Sequence, residues 1–268
     1  MARQGAQSKR GEPLTRPVLI RCRSAVQHAR HAVAMAAGCS VVAVLVIGQV
    51  GVSPAAAAAA PPVLGLDVSG HQPIIDWSAV ASASAQFAYI KATEGTGLVN
   101  ADFGSQYDGA YQAGLIRGAY HFALPNESSG AVQASFFVAN GGGWSADGRT
   151  LPGALDIEYN PYGPECYGLS QAAMVSWIAS FTDAYQSLTT VWPVIYTASN
   201  WWAKCTGNYA GFAADDPLWI AGNGTTVGAL PAGWSTFTFW QYASAGTFPG
   251  DQDLFNGSSS QLLRIAVG

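Results

Sequence analysis

The sequence predicts an α/β fold, a TIM-like (β/α) barrel with a β-rich C-terminal third, on three observations. Short apolar runs rich in β-branched and aromatic residues recur along the chain. Stretches with helical spacing separate the first five of them, which argues for parallel strands joined by crossovers. After Thr197 the helical stretches shrink and the strands crowd together. Strands are expected at residues 64–68, 87–93, 115–122, 153–157, 193–196, 218–221 and 236–242. Helices are expected over 77–83, 103–113, 131–140 and 170–187, the last with Ser170 as its N-cap. Seven or eight strands in about 200 residues close most readily as a barrel.

Residues 1–60 are set apart from that fold. Residues 1–31 carry seven of the 12 Lys and Arg but only one of the 16 Asp and Glu, and Ala32 to Val50 is almost wholly apolar. This is the pattern of a secretory leader, with A-x-A cleavage expected near Ala60 and an uncleaved anchor as the alternative. Cys39 follows Ala-Ala-Gly as a lipoprotein acceptor does, yet much of the apolar run lies after it, which argues against lipidation. The expected product is one secreted, extracellular domain over 61–268, not membrane-bound once the leader is removed, with a monomer as the default. It keeps five cations and 15 anions, a net charge of −10, which excludes nucleic acid as a natural partner. Two cysteines remain, Cys166 and Cys205. In an oxidising exterior they are expected to be bridged, and neither has a second ligand at zinc spacing.

The expected strands end in chemistry-bearing residues: Asp67, Lys91 and Glu94, Tyr120 and His121, Asp156 and Glu158, Tyr196, Trp219, and Gln241 and Tyr242. In a parallel barrel such ends share one mouth. Each alone has an ordinary reading, core packing for a ring or solvation for a charge, but their joint placement points to a site. Alternation along a strand puts Asp156 and Glu158 on one face, roughly 6 to 7 Å apart. Repulsion and desolvation there raise at least one pKa, unless the strand end is simply solvated. An acidic, aromatic mouth suits a neutral sugar, whose C–H faces pack on rings and whose hydroxyls meet carboxylates and amides. Glycosidic cleavage needs a proton donor and a second group at the anomeric centre, and Asp67, Asp156, Glu158 and Asp253 are the candidates.

The runs VLGLDVSGHQPIIDW, FAYIKATEG, AGLIRGAYHFALP, LPGALDIEYNPYGPECYGLS, VIYTASNWW, PLWIAGN, FTFWQYASAG and DQDLFNG, in that order from Val63 to Gly257, resemble the strand motifs of family 25 glycoside hydrolases, secreted N-acetylmuramidases. The resemblance implies a flattened, incomplete barrel acting on bacterial peptidoglycan on the reducing side of N-acetylmuramic acid, with no cofactor. By position it implies Glu158 as general acid, Asp156 as its D-x-E partner, Asp67 as the acid closing the first strand, and Asp253 as the C-terminal acid. Tyr120, Tyr196, Trp219, Gln241 and Tyr242 fall on substrate-lining positions. The C-terminal motif departs from the usual Val-Asp-x-Asn, so Asp253 is the least secure of the four. The chain stops soon after that motif without wall-binding repeats, so targeting is expected to rest on the cleft.

Because Asp156 and Glu158 lie on one side, simple nucleophilic attack by Asp156 is disfavoured. Substrate assistance by the 2-acetamido group is the expected route, and an inverting route through Asp67 or Asp253 is the alternative. Two rival readings remain. A metal-dependent hydrolase would recruit Asp67, His71, His121, Asp156 and Glu158, although neither His has a partner at ligand spacing. A non-catalytic glycan-binding barrel would have no need of the D-x-E acids.

Overall fold

The computed structural model describes residues 61–268, so the expected leader, its cleavage site and Cys39 lie outside the described residues. The chain forms β1 (Val63–Val68), α1 (Trp77–Ser82), β2 (Ala85–Glu94), β3 (Leu98–Val99), α2 (Phe103–Gln112), β4 (Ile116–Phe122) and α3 (Gly130–Phe137), the last running into a π-type turn. Then follow β5 (Ala154–Asp156), α4 (Gln171–Thr189), β6 (Val194–Ala198), α5 (Ser199–Thr206), β7 (Leu218–Ala221), β8 (Phe239–Ala243), β9 (Asp251–Phe255) and α6 (Ser259–Val267). Ser170 caps α4, its hydroxyl accepting from the Ala173 N–H at 3.3 Å. Strands β1, β2 and β6 run longer than the sequence reading and β4, β5 and β8 shorter, while β3, β9, α5 and α6 are additions to it.

The sheet closes on itself. Strand order is β1-β9-β8-β7-β6-β5-β4-β2, and β2 pairs back onto β1, with β3 hanging from the outer end of β2. Seven strands run parallel, whereas β9 is antiparallel to both β8 and β1. The ring is therefore complete in hydrogen bonds but lacks the eighth strand–helix repeat of a full (β/α) barrel. Alternation sorts each strand's side chains in two. Phe87 and Tyr89 point inward with Trp219, Phe239 and Phe255, whereas Ala88 and Ile90 face α1 and α2. Leu155, Ile157 and Ile195 point outward under α3 and α4. Large inward rings need small neighbours: a Cβ on Gly118 would lie 2.3 Å from Tyr89.

Helix α4 shows how the outer layer is held. Met174, Trp177, Ile178, Phe181 and Tyr185 recur at helical spacing and are all buried, each stabilising the fold by about 1.5–3 kcal/mol through apolar burial. His121 joins this layer. It is fully buried against Phe137 and Phe181, with Thr93 Oγ1 at 2.7 Å from Nδ1 and Gln133 Oε1 at 2.9 Å from Nε2. It therefore faces away from the mouth, and burial lowers its pKa to about 4, keeping it neutral.

Candidate active site

The mouth holds a pocket of about 200 Å³ lined by Asp67, Lys91, Tyr120, Asp156, Glu158, Tyr196, Trp219, Gln241 and Asp251, with Ser69, His71 and Phe122 at its rim. Asp67 comes from the end of β1, Asp156 from the end of β5, and Glu158 from two residues further on. Ile157 between them is buried on the opposite face, so the D-x-E pair shares one wall as alternation requires. The loop after β5 is pinned in three ways. Cys166 and Cys205 are disulfide-bonded, Trp201 Nε1 donates to the Glu165 carbonyl at 3.2 Å, and Lys204 pairs with the Glu165 carboxylate.

A polar chain crosses the floor of the pocket. Tyr196 Oη donates to Gln241 Oε1 at 2.9 Å, and Gln241 Nε2 donates to Asp67 Oδ2 at 2.8 Å. Asp251 Oδ2 lies 3.4 Å from the same nitrogen. On the opposite wall, Asp156 Oδ1 is buried with no hydrogen-bond partner in the protein. Lys91 sits beside this wall, bonded to Glu94 at 2.6 Å and lying 4.7 Å from the centre of the Phe122 ring.

Crowding these acids makes them poor anions. Burial, with the charge of Asp251 added, pushes Glu158 up to about 7, against the opposing pull of Lys91. Burial and Asp251 likewise push Asp67 up to about 7, although the Gln241 hydrogen bond opposes them. Asp156 is raised well above the carboxylate range by burial and by Glu158. These groups titrate together, so the cluster holds protons near neutrality that a solvated pair would have released. The alternative of a merely solvated strand end is removed by this burial.

Of the residues expected at the site, Asp67, Asp156, Glu158, Tyr120, Tyr196, Trp219 and Gln241 meet in the pocket, whereas Asp253 and Tyr242 do not line it. Asp253 is fully buried a layer below, where its Oδ1 accepts from Trp219 Nε1 at 2.9 Å. The cause is strand direction. In antiparallel β9 the mouth end is the first residue, Asp251, which pairs with Asp67; Asp253, two residues on, pairs with Gly65 deeper in the barrel. The missed signal is thus the first Asp of DQDLFNG. Gly250 just before it has φ +74°, and a Cβ there would stand 2.2 Å from the Asp67 carbonyl oxygen, so glycine lets the turn press Asp251 against β1. Tyr242 falls at a register shift between Gln241 and Ala243, and its ring packs 5.7 Å from Trp240.

The model for the family described as Glycosyl hydrolases family 25 matches residues 66–251. Lysozyme M1 of Streptomyces globisporus is 52% identical over 209 residues, which are 76% of this chain and 71% of that protein. An N,O-diacetylmuramidase of Chalaropsis sp. is 46% identical over 210 residues, covering 77% of this chain and 100% of that protein. Among solved structures, a family GH25 lysozyme from Aspergillus fumigatus superposes with a TM-score of 0.77 at 49% identity, covering 78% of this chain and 100% of that one.

Proposed function

This chain belongs to the glycosyl hydrolases of family 25, and from that premise we propose how its acid cluster works as a lysozyme. The protein is a muramidase acting on bacterial peptidoglycan, cutting the β-1,4 bond between N-acetylmuramic acid and N-acetylglucosamine. Residues 61–268 act as a single catalytic domain. Export of that domain is supported by the Cys166–Cys205 disulfide, which persists outside the cell.

Glu158, holding its proton near pH 7, donates it to the leaving glycosidic oxygen. As that C–O bond breaks, the carbonyl oxygen of the sugar's own 2-acetamido group bonds to the anomeric carbon from the other face. The observation that carries this reading is the unpartnered Oδ1 of Asp156 beside Glu158, an acceptor awaiting the acetamido N–H. Water then adds to the anomeric carbon, the carbonyl oxygen departs, and the Glu158 carboxylate takes the water's proton. Asp67 and Asp251, set across the pocket and joined through Gln241, stabilise the positive charge that develops at the ring. Tyr120, Tyr196 and Trp219 give the sugar its apolar wall.

Glu158→Gln is expected to keep the fold and lose at least nine-tenths of the lytic rate, since removal of a general acid typically costs about a hundredfold or more. Mass spectrometry of muropeptides released from defined peptidoglycan is expected to show muramic acid at every new reducing end. N-acetylglucosamine there would contradict the bond assignment. The first-formed anomer read by NMR is expected to be β; an α product would instead assign Asp67 or Asp251 the activation of water.

A further inference from the structure

A second groove, about 440 Å³ in volume, adjoins the catalytic pocket and shares Ser69, His71 and Lys91 with it. Its walls differ in chemistry from the ring-lined pocket. Leu98 and Val99, the two residues of β3, stand 44% and 48% exposed at the free end of the sheet. Tyr162, 72% exposed, lines the groove too, with its hydroxyl donating to Glu94 Oε1 at 2.6 Å, while Lys91 holds Glu94 Oε2 at 2.6 Å. Asp102 also lines the groove. Adjacent exposed aliphatics in a concave surface that continues from a substrate pocket mark a binding surface. Sugar subsites rest on flat rings with hydroxyl partners. Here, beside His71 and the single Tyr162 ring, the groove offers two aliphatic side chains, the Lys91 cation and two carboxylates, which complement a short acidic peptide carrying methyl groups and an amine.

We propose that this groove is the subsite for the peptide stem borne by the muramic acid residue whose bond is cut, an inference that rests on the muramidase reading above. The lactyl ether that carries the stem lies two ring carbons from the anomeric centre. Once that centre faces Glu158, the stem therefore starts at the pocket's edge, where the groove begins. The alanine methyls of the stem lie on Leu98 and Val99, stem carboxylates meet Lys91, and a stem amine meets Glu94 or Asp102. Neither Leu98 nor Val99 touches the reacting atoms; both are specificity-determining residues.

The test compares kcat/KM on peptidoglycan glycan chains bearing stems with the same chains stripped by an amidase. Covering two half-exposed aliphatic side chains is worth about a tenfold preference for the stem-bearing substrate, carried in KM. The double variant Leu98→Ser/Val99→Ser is expected to lose that preference and to cut stripped glycan as the wild type does. Equal wild-type efficiency on both substrates would overturn the inference without touching the muramidase reading. So would an equal loss on both in the variant, since the groove would then be a glycan subsite. Failure of the wild type to release reducing ends from either substrate would overturn both readings.

Discussion

Replacing Asp251 by Asn isolates the electrostatics that keep Glu158 protonated. Asp67 Oδ2 and Asp251 Oδ2 both approach Gln241 Nε2, at 2.8 and 3.4 Å, so the two oxygens stand no more than about 6 Å apart. At an effective dielectric constant of about 20, two negative charges at that distance repel by about 2.8 kcal/mol, roughly two pKa units. Asp251 is only half-buried, and solvent screening cuts this to about one unit. After burial, the Asp251 charge does most to raise Glu158, so a shift of the same order, about one unit, is expected there. A general acid works only while protonated, so activity falls as pH rises through its pKa, here about 7. The substituted amide carries no charge, hence the acid's pKa drops and the basic limb of kcat/KM moves toward acid by about one unit. At pH 7 the rate should fall about fivefold more than at pH 5, where only the lost stabilisation of the ring charge is felt, and the displacement should shrink in high salt. Turbidity clearing of purified walls from pH 4 to 9 reads both quantities. An unmoved limb, or equal losses at pH 5 and pH 8, would show that Asp251 does not set the proton affinity of Glu158.

Asp253→Asn is expected to spare most of the activity, because the amide oxygen can still accept from Trp219 Nε1 and the residue lies below the pocket. A loss in lytic rate as deep as that of Glu158→Gln would instead place Asp253 in the chemistry. Removing the disulfide with Cys166→Ser frees a loop of 39 residues and should cost about 4 kcal/mol by loop entropy, lowering Tm by roughly 8–16 °C in scanning fluorimetry. An unchanged Tm would show that the other pins on the loop suffice. Asp216, buried near Asp183 and Asp215 with Oδ1 unpartnered, is pushed up to about 8 by burial first and those charges second. Its proton therefore favours the fold fully below about pH 4, and that contribution is lost as pH rises through 8. Asp216→Asn has no such loss, so its Tm relative to wild type should climb by several degrees between pH 5 and pH 9. A constant difference would remove the titration of Asp216 from the account.

Much of this protein was legible before folding because it rests on local rules. Alternation alone put Asp156 and Glu158 on one wall and Ile157 on the other, and the repeating apolar runs located seven of the nine strands. Motif order from Val63 to Gly257 carried the family. What escaped was set by partners distant in sequence. No residue near Asp251 states that β9 runs antiparallel, and that direction alone decides that Asp251, rather than Asp253, reaches the mouth. The shift at Tyr242 depends on how β8 meets β9, and the inward or outward facing of His121 on the helices that cover β4. The order of amino acids settles which chemical groups are present and which of them share a face of their own strand, since covalent geometry spaces neighbours two by two. Closure of the barrel settles which faces confront one another, and with that the burial and mutual repulsion that keep carboxylic acids protonated near neutral pH.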